Sequence, residues 1–338
     1  MKRINRSIAA ATLASTLVLA LASLLVASAR TDDDDEDAPR FSDWSAPVNL
    51  GPPVNTPFAE MNPFISKDGR SLYFTCFNCP GNLGGSDIWV SQRASVSDPW
   101  GTPQNLGPNI NSTSNDAGPA LSSDGHRLYF GSNRPGGFGG NDIYVSRRQN
   151  KRDDFAWQPP VNLGSGVNTL ADDQGPEYFE DDETGIITLY FASNRPGGPG
   201  GNDIYASTLN EVNEDETFGP AVLVAELSSP FDDQGPAIRR DGLEIFLGSN
   251  RPGSIPPPPG LPSQAVDLWV STRTRTSDPW STPVNLGPIV NSVFSDAGPA
   301  LSRDGTELYF QSPFRSGNVG GTMFDIWKTT RTKLKHPD

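Results

Sequence analysis

Residues 116–146 read DAGPALSSDGHRLYFGSNRPGGFGGNDIYVS, and this stretch decides the fold. Its Asp-Gly pair separates two short strand-like runs, which is typical of a tight β-hairpin turn. A glycine-rich loop follows, and a third strand then begins at Asp142. The stretch therefore predicts three short strands joined by turns, and it shows no amphipathic helical periodicity.

The same phrase occurs five times, at intervals of about 56–63 residues, which is the repeat length expected of β-propeller blades. The five copies start at Glu60, Asp116, Asp173, Asp233 and Asp296. A fourth strand-like segment follows each of the first four copies, and one more, residues 44–51, precedes the first copy. We therefore predict an all-β, five-bladed β-propeller of four-stranded blades, closed by the N-terminal strand, which completes the last blade.

Four segments divide the chain. Residues 1–29 resemble a signal peptide, with basic residues near the start, an apolar run over residues 8–26 and an Ala27-Ser28-Ala29 cleavage site. An uncleaved membrane anchor is the alternative, because the apolar run is long. Residues 30–42 form an acidic linker, residues 43–332 the propeller and residues 333–338 a C-terminal tail. We expect an exported protein, periplasmic or secreted and possibly associated with the outer membrane.

The charge and cysteine content restrict the partners. The net charge of −14 disfavours nucleic acid and anionic membranes, which select basic surfaces. The two cysteines, Cys76 and Cys79, predict a local disulfide in an exported chain, with free thiols as the alternative. A zinc site would need further ligands, and the only histidines, His126 and His336, lie in unrelated contexts.

Two sets of charged residues recur at fixed positions on one rim of the predicted propeller. The acids that start the five phrases are expected to ring the mouth of the central channel, and the arginines of the glycine-rich loops are expected near them: Glu60, Asp116, Asp173, Asp233 and Asp296, with Arg134, Arg195, Arg251 and Arg315. The acids either pair with the arginines and the backbone or bind a ligand or cation, for which calcium suits oxygen ligands. No cofactor is otherwise predicted.

Departures from the repeat also draw attention. The first blade has Phe77 and the last has Phe314 where the other copies have polar loop residues. These aromatic side chains could form an apolar sector for a partner or glycan, or they could pack under their own loops.

The phrases ALSSDGHRLYF, SNRPGGFGGNDIYVS and SNRPGGPGGNDIYAS resemble the WD40-like (TolB-type) β-propeller repeats of exported bacterial proteins, over residues 44–331. The resemblance implies a non-enzymatic interaction module in the cell envelope. It favours a binding or scaffold propeller, expected to be a monomer, that recognises a protein, peptide or cell-wall component through one loop-lined face.

A glycosidase-like, carbohydrate-active enzyme is the alternative. Such an enzyme needs two carboxylates at a defined separation, one of them kept protonated. The near-equivalent acids of the five repeats show no obvious asymmetry of this kind. A purely structural envelope module is a third hypothesis.

Overall fold

Five antiparallel sheets follow one another along the residues that the computed structural model describes, 40–211, 217–260 and 265–335. The five-bladed β-propeller predicted from the repeats is confirmed, and its unit spans Phe41–Lys333. The predicted signal peptide and most of the acidic linker lie outside the described residues. No helix in the described part of the chain is long and apolar enough to cross a membrane.

Each blade begins with its innermost strand. The first blade contains β2 (Ala59–Ile65), β3 (Ser71–Phe77), β4 (Ser86–Gln92) and β5 (Gln104–Asn105). The second contains β6 (Asp116–Leu121), β7 (Arg127–Ser132), β8 (Asp142–Arg147) and β9 (Val161–Asn162). The third contains β10 (Asp173–Glu180), β11 (Ile187–Ser193), β12 (Asp203–Glu211), β13 (Thr217–Phe218) and β14 (Val222–Leu223).

The fourth blade contains β15 (Asp233–Ile238), β16 (Glu244–Ser249), β17 (Asp267–Thr272) and β18 (Val284–Asn285). The fifth contains β19 (Ala297–Leu301), β20 (Glu307–Pro313) and β21 (Phe324–Thr330), and its outer strand is β1 (Val48–Asn49). Val48 lies opposite Lys328 and Asn49 opposite Trp327, so the N-terminal strand closes the ring as predicted.

A bulge interrupts each inner strand, at a Gly-Pro pair in four blades and at Asn62-Pro63 in the first. Gly118, Gly175, Gly235 and Gly298 all have φ between 58° and 65°. In this left-handed region a Cβ is unfavourable, which explains the glycine. Asn62 takes the same conformation in the first blade, with φ of 48°. A Cβ on Gly118 would lie 3.5 Å from the Cα of Gly175, which is an ordinary van der Waals contact, so the backbone conformation and not the space favours glycine.

Apolar side chains pack between neighbouring blades, and polar side chains fix the loops that join them. Tyr73 and Ile88 of the first blade share a buried cluster with Phe130 of the second. In the connecting loop, Asn111 donates a hydrogen bond to the carbonyl of Ile88 (2.9 Å) and accepts one from its amide (2.8 Å). Burial of the aromatic rings and satisfaction of the buried backbone hold the blades in a fixed ring.

Candidate functional site

The five repeated acids are fully buried at the start of the inner strands, with no exposed surface. Four of them form ion pairs with the loop arginines: Asp116 with Arg134 (2.6 Å), Asp173 with Arg195 (2.6 Å), Asp233 with Arg251 (2.5 Å) and Asp296 with Arg315 (2.6 Å). The spacing of the repeats thus brings the two predicted sets together, with one pair in each of the second to fifth blades.

The third blade shows what each pair does. Asp173 accepts hydrogen bonds from the amide (2.6 Å) and the hydroxyl (2.9 Å) of Thr169 on one oxygen and from Arg195 on the other. Arg195 also donates to the carbonyl of Val167 (2.6 Å). A carboxylate that is bonded on both oxygens and fully buried fixes the entry loop of its blade, and it offers no surface to a ligand.

The first blade has a different arrangement. Cys76 and Cys79 form a disulfide bond. Among the described residues no arginine pairs with Glu60, whose oxygens accept hydrogen bonds from the amide and hydroxyl of Thr56. Burial raises the pKa of Glu60 to about 7, because these hydrogen bonds offset only part of the desolvation. The Cys76 sulfur lies 3.6 Å from a Glu60 oxygen, but a sulfur in a disulfide is not a thiolate ligand for a metal.

The two aromatic residues of the predicted apolar sector are partly exposed, Phe77 at 38% and Phe314 at 43%. The ring of Phe314 packs against that of Phe294, with the centroids 5.3 Å apart. Phe314 therefore covers part of the loop of its own blade, and a partner site at these residues stays a prediction.

A narrow central channel of about 210 Å³ runs between the inner strands. Its polar lining consists of neutral amides: Asn62, Asn141, Gln174, Gln234 and Gln311. Among the residues that line this channel, Glu177 is the only carboxylate. The channel is thus lined by amides and one glutamate, while the repeated acids lie behind it in the blades.

Glu177 lies on β10, directly after the Gly-Pro bulge of the third blade. One of its carboxyl oxygens accepts a hydrogen bond from the amide of Ile238 in the fourth blade (3.1 Å). Burial raises the pKa of Glu177 to about 8, and the hydrogen bond from Ile238 offsets only part of this shift. Glu177 is therefore largely protonated at neutral pH, which lets it donate a proton.

A second, larger cavity of about 870 Å³ lies where the inner strands end at the Asp-Gly turns. Phe64 and Glu177 line both this cavity and the channel, so the two spaces meet at these side chains. Glu180, at the end of β10, also lines the larger cavity. The volume of this cavity is in the range of small-molecule sites, and the cavity lies on the face opposite the expected rim.

Neither Glu177 nor Glu180 stands out in the sequence as a single residue, but both depart from the repeat. The residue after Gly-Pro or Asn-Pro is Phe64, Ala120, Ala237 or Ala300 in the other blades. The residue before the Asp of the turn is Lys67, Ser123, Arg240 or Arg303 in the other blades. A position-by-position alignment of the five repeats would therefore have revealed two carboxylates that belong to the third blade alone.

Similar solved structures identify the architecture. The chain is similar to the catalytic domain of a Coprinopsis cinerea GH62 α-L-arabinofuranosidase, at 14% identity and a TM-score of 0.55 over 87% of this chain and 98% of that one. A thermostable family-43 glycoside hydrolase matches at 11% identity and a TM-score of 0.54, over 85% and 93%. A GH62 hydrolase in complex with xylotriose matches at 10% identity and a TM-score of 0.55, over 88% of this chain and 99% of that one. No family model and no curated protein matches the sequence.

At these identities the likeness establishes the fold, and it corrects two expectations. The assignment to the WD40-like (TolB-type) family is wrong: no family model supports it, and the similar structures are glycoside hydrolases. The non-enzymatic binding or scaffold module, including protein binding, is wrong as the leading interpretation, because these findings favour the carbohydrate-active alternative. The repeated phrases suggested the first family because they encode turns, bulges and ion pairs, which propeller blades need whatever their activity.

Proposed function

We propose that this chain is a carbohydrate-active enzyme that hydrolyses glycosidic bonds in the cavity beside Glu177. The observation that carries the proposal is the position of the Glu177 carboxyl group at the junction of the channel and the larger cavity, where burial raises its pKa. A glycosidase requires such a proton donor, with its pKa raised by an apolar or enclosed setting. The likeness to glycoside hydrolases supports the same reaction class.

Glu180 is the proposed second carboxylate. It lies three residues after Glu177 on β10, where the Cα atoms of an extended strand are about 10 Å apart. Both side chains line the larger cavity, and Lys67 lies within the electrostatic reach of Glu180. Inverting glycosidases separate their carboxyl groups by roughly 6.5–9.5 Å to admit a water. Glu177 and Glu180 leave opposite faces of β10, so they act as such a pair only through the cavity that both of them line.

The proposed reaction assigns one proton transfer to each residue. Glu177 donates its proton to the oxygen of the leaving sugar as the bond to the anomeric carbon breaks. Glu180 takes a proton from a water whose oxygen forms the new bond to that carbon. The products are two sugars, and exchange with solvent returns the proton from Glu180 to Glu177. The oxygens of the four aspartates in ion pairs are already bonded, so the mechanism uses none of them.

The predicted signal peptide fits this proposal, because export would bring the enzyme to glycans of the envelope or the surroundings. N-terminal sequencing of the protein recovered from culture medium and periplasm tests this part. A start near residue 30 supports export with cleavage, and a protein that retains residues 1–29 in the membrane fraction supports the anchor.

The direct test is hydrolysis of a panel of oligosaccharides, including xylotriose, arabinofuranosyl-substituted xylo-oligosaccharides and uronic-acid oligosaccharides, read by mass spectrometry. Glu177→Gln should lower kcat about 10²–10⁴-fold, which is the usual contribution of a positioned acid. Because Glu177 must carry its proton, the wild-type rate should fall as the pH rises through about 8. The control is Glu183→Gln, an exposed carboxylate in the turn of the same blade.

Two results would contradict the proposal. One is an undiminished rate in Glu177→Gln, which would place the chemistry elsewhere. The other is no product from any glycan with a wild-type protein whose melting curve shows that it is folded.

A further inference from the structure

Cations gather around the larger cavity at one repeated position. The residue that precedes the Asp of the Asp-Gly turn is Lys67 in the first blade, Arg240 in the fourth and Arg303 in the fifth. All three line the cavity, and Lys151, from the loop between β8 and β9, lines it as well. The five-fold arrangement therefore directs charged side chains from four blades towards one space.

These side chains lie within electrostatic reach of one another. Partial burial, followed by the charges of Arg303, Arg240 and Lys151, lowers the pKa of Lys67. Burial and then the charge of Arg240 lower the pKa of Arg303. A nearby positive charge disfavours the protonated, charged form of a lysine or arginine. The four cations thus form a single cluster around the cavity.

Most of this cluster is not neutralised by the protein. Among the described residues, the side chains of Lys67, Lys151 and Arg303 form no ion pair, while Arg240 pairs with the exposed Asp182 (2.5 Å). Glu180 lies where the third blade would continue the set, and its charge offsets part of the repulsion at Lys67. The full lining of the cavity contains eight lysines and arginines against five carboxylates, so the space stays positive.

The rest of the chain makes this cluster unexpected. The sequence has 40 acidic and 26 basic residues, and the arginines of the glycine-rich loops are used in buried ion pairs. A cavity of one sign within a protein of the opposite sign concentrates ligands of the complementary charge. The net charge of −14 opposes the binding of a long nucleic acid, whereas a short anionic group inside the cavity lies close to the cations.

We infer that the cavity binds an anionic glycan, with Lys67, Arg240 and Arg303 holding a carboxylate or sulfate group of a sugar next to the bond that is cleaved. This inference rests on the proposed function and names its substrate class. The geometry favours it because the cations line the same cavity as Glu177 and Glu180. A charged sugar would therefore bind with its anionic group on the cations and its glycosidic bond at the two carboxyl groups.

The test is equilibrium binding measured by calorimetry with three probes of similar length: an oligogalacturonide for carboxylate, a sulfated oligosaccharide for sulfate and xylotriose as the neutral reference. The wild-type protein should bind at least one anionic probe about tenfold or more tightly than xylotriose, since each charge-assisted hydrogen bond adds affinity of this order. The preferred anionic probe identifies the group. Its affinity should fall between about 0.05 M and 0.5 M salt, because salt screens exposed charges.

The variants are Lys67→Gln with Arg303→Gln, and Lys333→Gln as the matched control. Lys333 is an exposed lysine that does not line the cavity. The double variant should lose the preference for the anionic probe about tenfold or more while its affinity for xylotriose is unchanged. The control should bind like the wild type. Equal affinity for charged and neutral probes, or a preference that survives in the double variant, overturns the inference.

Binding by Glu177→Gln separates this inference from the proposed function. If Glu177→Gln binds the anionic probe and neither this variant nor the wild type hydrolyses any glycan, the cavity is an anion-binding site and the enzymatic proposal fails. If wild-type protein hydrolyses neutral glycans in a Glu177-dependent way and shows no preference for charge, the inference alone fails.

Discussion

The first blade and the other four fix the same loop by different chemistry. In the third blade, Arg195 bridges Asp173 and the carbonyl of Val167, so a charge pair holds the glycine-rich loop against the inner strand. In the first blade a disulfide between Cys76 and Cys79 takes the place of the arginine, and Glu60 is left without a cation. Burial raises the pKa of Glu60, because only the hydrogen bonds of Thr56 and of the backbone oppose the desolvation of its carboxyl group.

The largest effect is expected where an arginine pairs with a fully buried carboxylate. Arg195→Ala should lower the free energy of unfolding by about 3–5 kcal/mol, because it leaves the fully buried Asp173 as an unpaired charge. Urea unfolding followed by tryptophan fluorescence measures this loss. The control is Arg240→Ala, which breaks the exposed pair with Asp182 and should cost less than about 1 kcal/mol.

Equal decreases in the free energy of unfolding of the two arginine variants would mean that burial does not determine how much an ion pair stabilises the fold. The comparison between blades would then rest on the disulfide alone.

The protonated state of Glu60 gives the second prediction. The pKa of Glu60 is about 7 in the folded protein and near its ordinary value of 4.5 in the unfolded chain, so the folded state binds more protons between these pH values. Stability should therefore decrease as the pH rises from about 4.5 to 7, by on the order of 3 kcal/mol for this residue. Urea unfolding from pH 4.5 to 8 measures the slope, and Glu60→Gln should remove the part due to Glu60.

Glu177 contributes to the same curve because burial also raises its pKa. The free energy of unfolding of the double variant Glu60→Gln with Glu177→Gln should consequently depend less on pH than that of either single variant. A wild-type slope that Glu60→Gln leaves unchanged would show that Glu60 is ionised in the folded protein.

The sequence predicts most of the fold, because every blade repeats the features that build it. The offset between residues 44–51 and the last repeat predicts closure, and the structure pairs Val48 with Lys328. The regular spacing of Asp173 and Arg195 also anticipates that these residues meet. Burial of the acids was harder to foresee, since it depends on how close neighbouring inner strands approach, which the Gly-Pro bulges determine.

The candidate site was much harder to predict, because its carboxylates do not recur from blade to blade. Repeated residues report what all blades need, whereas Glu177 and Glu180 each occur once, inside an otherwise regular inner strand. Periodicity cannot show that Glu177 joins two cavities, or that Lys67, Arg240 and Arg303 converge on the axis from three blades. That information lies in the ring geometry, which turns distant positions of the chain into neighbours.

The smallest of the three effects is expected from the disulfide. Its loop is short, with a sequence separation of three, so the unfolded chain loses little entropy and the Cys76→Ser, Cys79→Ser variant should be less stable by about 2 kcal/mol. Thermal and urea unfolding measure the loss, and wild-type protein with a reductant should match the variant. Arg195→Ala should respond to reductant by the same amount as the wild type, because the two loops belong to separate blades. A reductant that has no effect on either protein would mean that packing around Cys76 holds the loop, and that the first blade needs neither a charge pair nor a covalent bond.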